Sequence, residues 1–398
     1  RIITIIISII ISPILARYLG PIRLGKLSYV IALAYLLIPI VDFGIKDYLP
    51  IAISNLRERL TVINTALTLR FIGLIIASII FLFLSISAND AEIKFLFLIS
   101  ILGFLFQFSD LIEVELLQEN KGTKIAKASL IDELLFNSII VTSIFLEAEL
   151  LIFGFLNSIK NIVRSFLFLN LKVSKIKFNF LNNYQWEVAK DLLKNGFPLF
   201  LSNISLLLLL RIDQVMIQNI LGPEQLGQYA VSVRVAESIY FMQIIINRTY
   251  LPILIKGSLN FDNDLTLRKF YKITWIVGIS LTFFTLFIAP TLLKMIYGKS
   301  YFDAVPSLIC LAPSAFAISL GSANSLWLKC TNKNWLLTFR SLLSFMLNFI
   351  LNIFLINKLG IIGAALSTTM AHFFGNFLVN FSYSESTRKN YIKALYPF

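Results

Sequence analysis

Apolar positions fill this chain in runs of twenty residues or more, broken by short stretches of charge, glycine or proline. A helix needs roughly 20 apolar residues to cross a hydrocarbon core. Inside that core only helices and closed barrels satisfy their own backbone, and the runs lack the strict alternation of barrel strands. The pattern predicts helices over 2–18, 27–53, 62–86, 93–118, 123–146 and 149–170. A second set follows over 190–220, 227–256, 269–292, 304–328, 334–357 and 361–384. The expectation is an all-α integral membrane protein, twelve transmembrane helices as two six-helix bundles related by an internal repeat. The N-terminal bundle is 1–171, a basic cytoplasmic linker with Lys172, Lys175 and Lys177 is 172–189, and the C-terminal bundle is 190–398.

The repeat rests on punctuation. Leu19 to Gly25 reads LGPIRLG and Leu221 to Gly227 reads LGPEQLG, each between the first two helices of its set. The first glycine of such a motif suits a left-handed helix end, proline starts the next helix, and the second glycine allows close backbone approach. A tight helix hairpin explains one copy; a duplicated unit explains two.

Composition supports the membrane reading and adds little else. Hydrophobic residues are 57% and charged residues 14% of 398, and mean hydropathy is +0.81. The net charge of +13 follows topology. Lysine and arginine crowd the loops on one side, among them Arg57, Lys121, Lys172, Lys256 and Arg388. Asp90, Glu92, Glu147 and Glu149 lie opposite, so both termini are expected in the cytoplasm. Some attraction to anionic membrane lipids follows, and nucleic acid is not an expected partner. Cys310, Cys330 and His372 read as packing residues, so no metal site and no cofactor are expected. The chain starts on Arg1, not methionine, which reads as a missing start.

Several stretches resemble the polysaccharide flippase family, the O-antigen translocases of the superfamily that also holds multidrug extruders and the peptidoglycan precursor flippase. Gly196 to Ser202 (GFPLFLS), Arg211-Ile-Asp213-Gln214 and LGPEQLGQY are similar to that family's seventh helix and following loop. Val41-Asp42-Phe43-Gly44, Ile296-Tyr297-Gly298 and Leu359 to Thr368 resemble its second helix, ninth-to-tenth loop and last hairpin. The resemblance implies transport of a lipid-linked oligosaccharide across a bacterial inner membrane, with other polysaccharide assembly proteins as partners and no covalent chemistry.

A charge at the bilayer centre costs roughly 2.5–3.5 kcal/mol, so intramembrane charges need a reason. The predicted spans hold Asp42, Lys46, Asp47, Arg70, Asp110, Glu113, Glu115, Asp132, Glu133, Lys160, Arg164, Arg211, Asp213, Arg234, Glu237, Arg248 and Arg340. Residues three or four apart share a helix face, which predicts Asp42–Lys46 and Arg234–Glu237 pairs. Lys160 and Arg164 stack two cations that Asp110 and Glu113 can answer. Arg211 cannot face Asp213, and its planar fork suits phosphate. The expected substrate-binding set is Arg17, Arg211, Arg234, Arg248, Lys160 and Arg164. The repeat does not copy it, because Ile9 and Ala32 stand where Arg211 and Arg234 stand in the second half. Asp42, Asp110, Glu113 and Asp213 are the expected coupling-ion acids, for a proton or sodium. Tyr229, Tyr240 and Trp327 are candidates to stack on sugar rings.

Two rivals stand beside this reading. A cation-coupled multidrug extruder would call for a more apolar or acidic pocket than these arginines make. A membrane enzyme of lipid-linked sugar metabolism would use Asp262-Asn263-Asp264, a DxD form that reads more simply as a polar turn.

Overall fold

The computed structural model describes residues 2–55, 59–105, 109–118, 121–171, 184–256, 265–331 and 333–382. All secondary structure among them is helical. The chain runs through α1 (Ile2–Asp42), α2 (Ile45–Asn55), α3 (Arg59–Ser87), α4 (Ala91–Leu105), α5 (Ser109–Gln118), α6 (Gly122–Phe145), α7 (Leu150–Asn170) and α8 (Trp186–Leu221). It continues through α9 (Pro223–Lys256), α10 (Leu265–Phe283), a π-helical turn (Phe284–Ile288), α11 (Ala289–Tyr297), α12 (Ala304–Leu311), α13 (Ser314–Cys330), α14 (Asn334–Leu359) and α15 (Ile361–Phe373). Among the described residues nine helical segments are long and apolar enough to cross a membrane. The pair α12 and α13, bent by 41°, makes a tenth when taken together. Large apolar side chains such as Phe83, Phe166 and Phe287 point outward, 64–70% exposed, as a hydrocarbon-facing surface requires. The chain is a multi-pass membrane protein.

Residues of positive φ end several of these helices. Phe43 (φ 49°) and Gly44 (φ 73°) separate α1 from α2 inside what sequence pattern joined as one span. Gly222 (φ 88°) separates α8 from α9, and Gly360 (φ 61°) separates α14 from α15. Gly20 (φ 68°, ψ 171°) kinks α1, so the expected loop 19–26 is helix on both sides of one residue. The parts of α1 on either side of Gly20, 2–19 and 21–42, are about 27 and 33 Å of helix, each close to the thickness of a hydrocarbon core.

By compactness the chain divides into two units, 1–19 with 26–204 and 20–25 with 205–398. The division falls inside α8. Of the expected linker, 172–183 lies outside the described residues, and from Trp186 the chain is already α8. The start of α8 belongs to the first unit because two of its residues press on the α1–α2 break. A Cβ at Gly44 would lie 2.1 Å from the Gly196 carbonyl oxygen, and Phe43 stacks on Phe200 at 4.8 Å. Elsewhere in this unit α4 packs between α3 and α7, with Phe81 edge-on to Phe97 and Phe104 (5.1 and 4.8 Å).

In the second unit α10 packs on α13 and α14 on α15, around a core of Trp327, Phe270, Tyr271 and Leu328. The two LGP heptapeptides meet here. A Cβ on Gly25 would sit 1.8 Å from the Pro223 carbonyl oxygen, and one on Gly227 would sit 2.0 Å from that of Pro21. The contact is reciprocal, so the second glycine of each copy is needed by the backbone of the other.

Candidate functional site

In the first unit, charges from several helices converge. Arg70 of α3 is 1% exposed and donates to Asp42 of α1 at 2.7 Å. Its other terminal nitrogen lies 3.6 Å from Asp110 of α5, which also takes the Lys46 ammonium at 3.1 Å. The expected Asp42–Lys46 pair is therefore not made by the side chains. Only the Lys46 backbone N–H reaches the Asp42 carboxylate, at 3.2 Å, because Asp42 sits at the helix break and faces α3.

Lys160 and Arg164 share a face of α7 but find separate carboxylates. Arg164 donates to Glu113 of α5 at 2.9 Å, as the spacing suggested, and lies 5.3 Å over the Phe168 ring. Lys160 turns to Glu133 of α6 at 2.8 Å, and Asp110 goes to Lys46 and Arg70 instead. Asp110 and Glu113 thus each face cations on other helices. Both cations remain about one-third exposed, 32% and 34%, so each keeps an open side while its carboxylate is held. Asp132, 3% exposed, has one carboxylate oxygen without a hydrogen bond.

The second unit is arranged differently. Arg211 of α8 takes Glu237 of α9 through both guanidinium nitrogens, at 3.0 and 3.3 Å. That removes the expected Arg234–Glu237 pair. Arg234 and Arg248 are exposed on α9, and among the described residues neither meets a carboxylate. Asp213 is 2% exposed and is held by neutral groups: the Tyr229 hydroxyl at 2.5 Å, the Thr368 hydroxyl at 3.3 Å and the Gln214 N–H at 2.7 Å. Asn348 donates to Thr368 and Asn352 to Asn348, and the Asn352 carbonyl oxygen is buried without a hydrogen bond. These two asparagines were not singled out from the sequence, although their four-residue spacing inside one span is the signal that marks them.

Arg17 lies exposed on α1 in the first unit. Of the three aromatic residues expected to meet sugar, Tyr229 is fully buried on Asp213. Trp327, 2% exposed, is core beneath Lys333. Neither ring presents a face, because both fill space between helices. Tyr240 is half-buried and shares a hydrogen bond with Ser314 at 2.7 Å. His372 is buried in α15, and the two cysteines are half-buried and unpaired with each other. Asp262-Asn263-Asp264 lies outside the described residues. Among those described, no cluster of histidine, cysteine and carboxylates could hold a metal ion.

Residues 1–257 match the family described as polysaccharide biosynthesis protein. The chain belongs to that family. No curated protein matches it. Its fold is similar to that of the lipid II flippase MurJ in an inward closed conformation, at TM-score 0.73 and 17% identity over 100% of this chain and 91% of that one. It is similar also to an inward-facing multidrug resistance MATE family transporter of the MOP superfamily, at TM-score 0.67 and 15% identity over 98% and 95%. A third likeness, at TM-score 0.61 and 16% identity over 99% and 95%, is a MOP superfamily transporter from Pyrococcus furiosus whose description notes a binding pocket of reversed polarity. These likenesses place the chain among the folds of that superfamily.

Proposed function

We propose that the protein is a flippase carrying a lipid-diphosphate-linked oligosaccharide, an O-antigen or other polysaccharide repeat unit, from the cytoplasmic to the external leaflet by alternating access. It works as two six-helix bundles from a duplicated unit, twelve helices in all, in a bacterial inner membrane with both termini cytoplasmic. The observation that carries this reading is the pair Arg234 and Arg248, exposed on α9 and meeting no carboxylate among the described residues. An uncompensated guanidinium within a span is costly unless it faces water or an anion. In a polysaccharide biosynthesis family the anion that fits is the diphosphate joining sugar to lipid, which arginine grips bidentately. Arg17, Arg211, Lys160 and Arg164 complete the cationic set. The reciprocal contact of the LGP turns supports the duplicated unit.

For coupling, Asp213 is the acid we assign to a proton or sodium ion. Its partners are two hydroxyls and a backbone N–H, with no cation within salt-bridge distance among the described residues, so a small cation or a proton is what neutralises it. Asp42, Asp110 and Glu113 hold arginine or lysine already.

Complementation of a flippase-deficient, glycan-producing bacterium tests this. The native chain restores surface glycan, and Arg211→Ala, Arg234→Ala and Arg248→Ala at equal expression each lose about tenfold or more, the value of one charge-assisted contact. Full restoration by Arg234→Ala and Arg248→Ala removes the cationic assignment. Flux in vesicles is expected to follow an imposed proton or sodium gradient and to become indifferent to both in Asp213→Asn.

A further inference from the structure

A cavity of about 140 Å³ opens within the first unit between α1, α4 and α7. Its polar lining comes from Tyr35, Ser100, Asn157, Ser158 and Asn161. Ser100 and Ser158 donate back to their own helices, at 2.8 Å to Leu96 and 3.3 Å to Gly154, which leaves their hydroxyl lone pairs for something else. The side-chain amides of Asn157 and Asn161 make no hydrogen bond to any described residue. Both lie near the middle of α7, where an amide facing hydrocarbon alone costs several kcal/mol. A mid-span cavity with two idle amides four residues apart on one face, Asn157 exposed and Asn161 half-buried, and with a tyrosine 43% exposed at its edge, is a site for a hydroxylated ring.

We propose that this cavity receives the sugar directly attached to the diphosphate. The inference rests on the flippase reading above and adds where the first sugar binds. Lys160 and Arg164 lie on the same face of α7 as Asn157 and Asn161. From Asn161 to Arg164 the axial rise is about 4.5 Å, the reach from a sugar ring to the phosphorus on its anomeric oxygen. The two amides then meet ring hydroxyls or an N-acyl group, Tyr35 covers one ring face, and the diphosphate takes Lys160 and Arg164 in exchange for Glu133 and Glu113. The volume of about 140 Å³ is room for about ten water-sized positions, on the scale of one sugar ring and not of a chain of them.

Purified full-length protein is tested for binding two probes, polyprenyl diphosphate and the same lipid carrying one N-acetylhexosamine. The native chain is expected to bind the sugar-bearing probe about tenfold more tightly, as a few neutral hydrogen bonds and one ring contact allow. The double variant Asn157→Ala, Asn161→Ala erases that preference while binding the bare diphosphate as before. Ala34→Phe, which fills the cavity from α1, binds the sugar-bearing probe more weakly than the bare one. If the double variant and Ala34→Phe keep the full preference, or the native chain shows none while binding both probes, the sugar site is overturned and the flippase reading stands. If the native chain binds neither probe, the flippase reading itself falls, and the sugar site with it.

Discussion

The two units treat charge inside the membrane differently. In the first, Arg70, Lys46, Arg164 and Lys160 each face a carboxylate from a different helix. In the second, Arg211 takes Glu237 across helices, but Asp213 is held by hydroxyls and an amide N–H, and Arg234 and Arg248 stand exposed on α9. A pair across helices fixes their register and is neutral to the outside. A charge held only by neutral groups, or by nothing, keeps its capacity for an external ion. The difference assigns a mainly architectural role to the Arg70 web and a ligand-binding role to α9 and Asp213. Lys160 and Arg164 fall between, paired but one-third exposed.

The sharpest way to break this comparison is at Arg70, the most deeply buried of the paired cations. Arg70→Met leaves the Asp42 carboxylate buried without its cation, and removing one partner of a buried pair costs about 3–5 kcal/mol. Arg70→Met with Asp42→Leu replaces both charges with apolar groups and recovers most of that loss. Thermal or denaturant unfolding in detergent reads both. If the double variant is as unstable as the single one, the web is not an architectural pair and the contrast between the units dissolves.

Asp213→Asn is the counterpart in the second unit. The amide still accepts from Tyr229 and Thr368 and brings no orphaned cation with it. The expected loss of stability is therefore small, about 1 kcal/mol, the size of one hydrogen bond's net value. A loss as large as that at Arg70 would show that Asp213 is paired in a way its neighbours do not reveal.

Much of this architecture was legible in the chain and some was not, for physical reasons. Apolar run length locates spans because bilayer thickness sets it, and the described helices lie near the predicted ranges. Breaks at the π-turn 284–288 and between α12 and α13 left no mark, since these segments stay apolar through the bend; the break at Phe43–Gly44 was joined into one span although Asp42, Lys46 and Asp47 flank it. Charge spacing sees only one helix at a time. It offered Asp110 and Glu113 together to Lys160 and Arg164, of which only Arg164 takes Glu113 while Lys160 turns to Glu133, and it gave Glu237 to Arg234 when Arg211 takes it across helices. Asn157, Asn161, Asn348 and Asn352 escaped because a neutral amide raises no alarm in a charge count, though an amide left unmet in apolar surroundings costs several kcal/mol. The LGP motifs were read correctly as a left-handed glycine plus a close approach. What met the second glycine, namely the other copy of the motif, is a tertiary fact that no single stretch contains.

The smallest expected effect separates a solvated pair from the buried web. Asp90 lies in the turn between α3 and α4 and meets the Lys26 ammonium at 2.6 Å, which also takes Glu92 at 2.7 Å. Partial burial works to raise the Asp90 carboxyl. The Lys26 ammonium and the N–H groups of Ile93 and Glu92 prevail and hold it below its ordinary 3.8. A carboxyl depressed on folding contributes stability above its unfolded value and loses it as pH falls through the folded value. With the Asp90 side chain 36% exposed, solvent screening reduces the contribution to about half a kcal/mol. Unfolding of the native chain and of Asp90→Asn is thus expected to differ by that small margin from pH 5 to 7, and the margin should close below about pH 3.8. Raised salt is expected to shrink it further. A difference of several kcal/mol that ignores salt would place Asp90 in the same class as Arg70, and the line drawn between paired charges inside the bundle and paired charges at its edge would have to move.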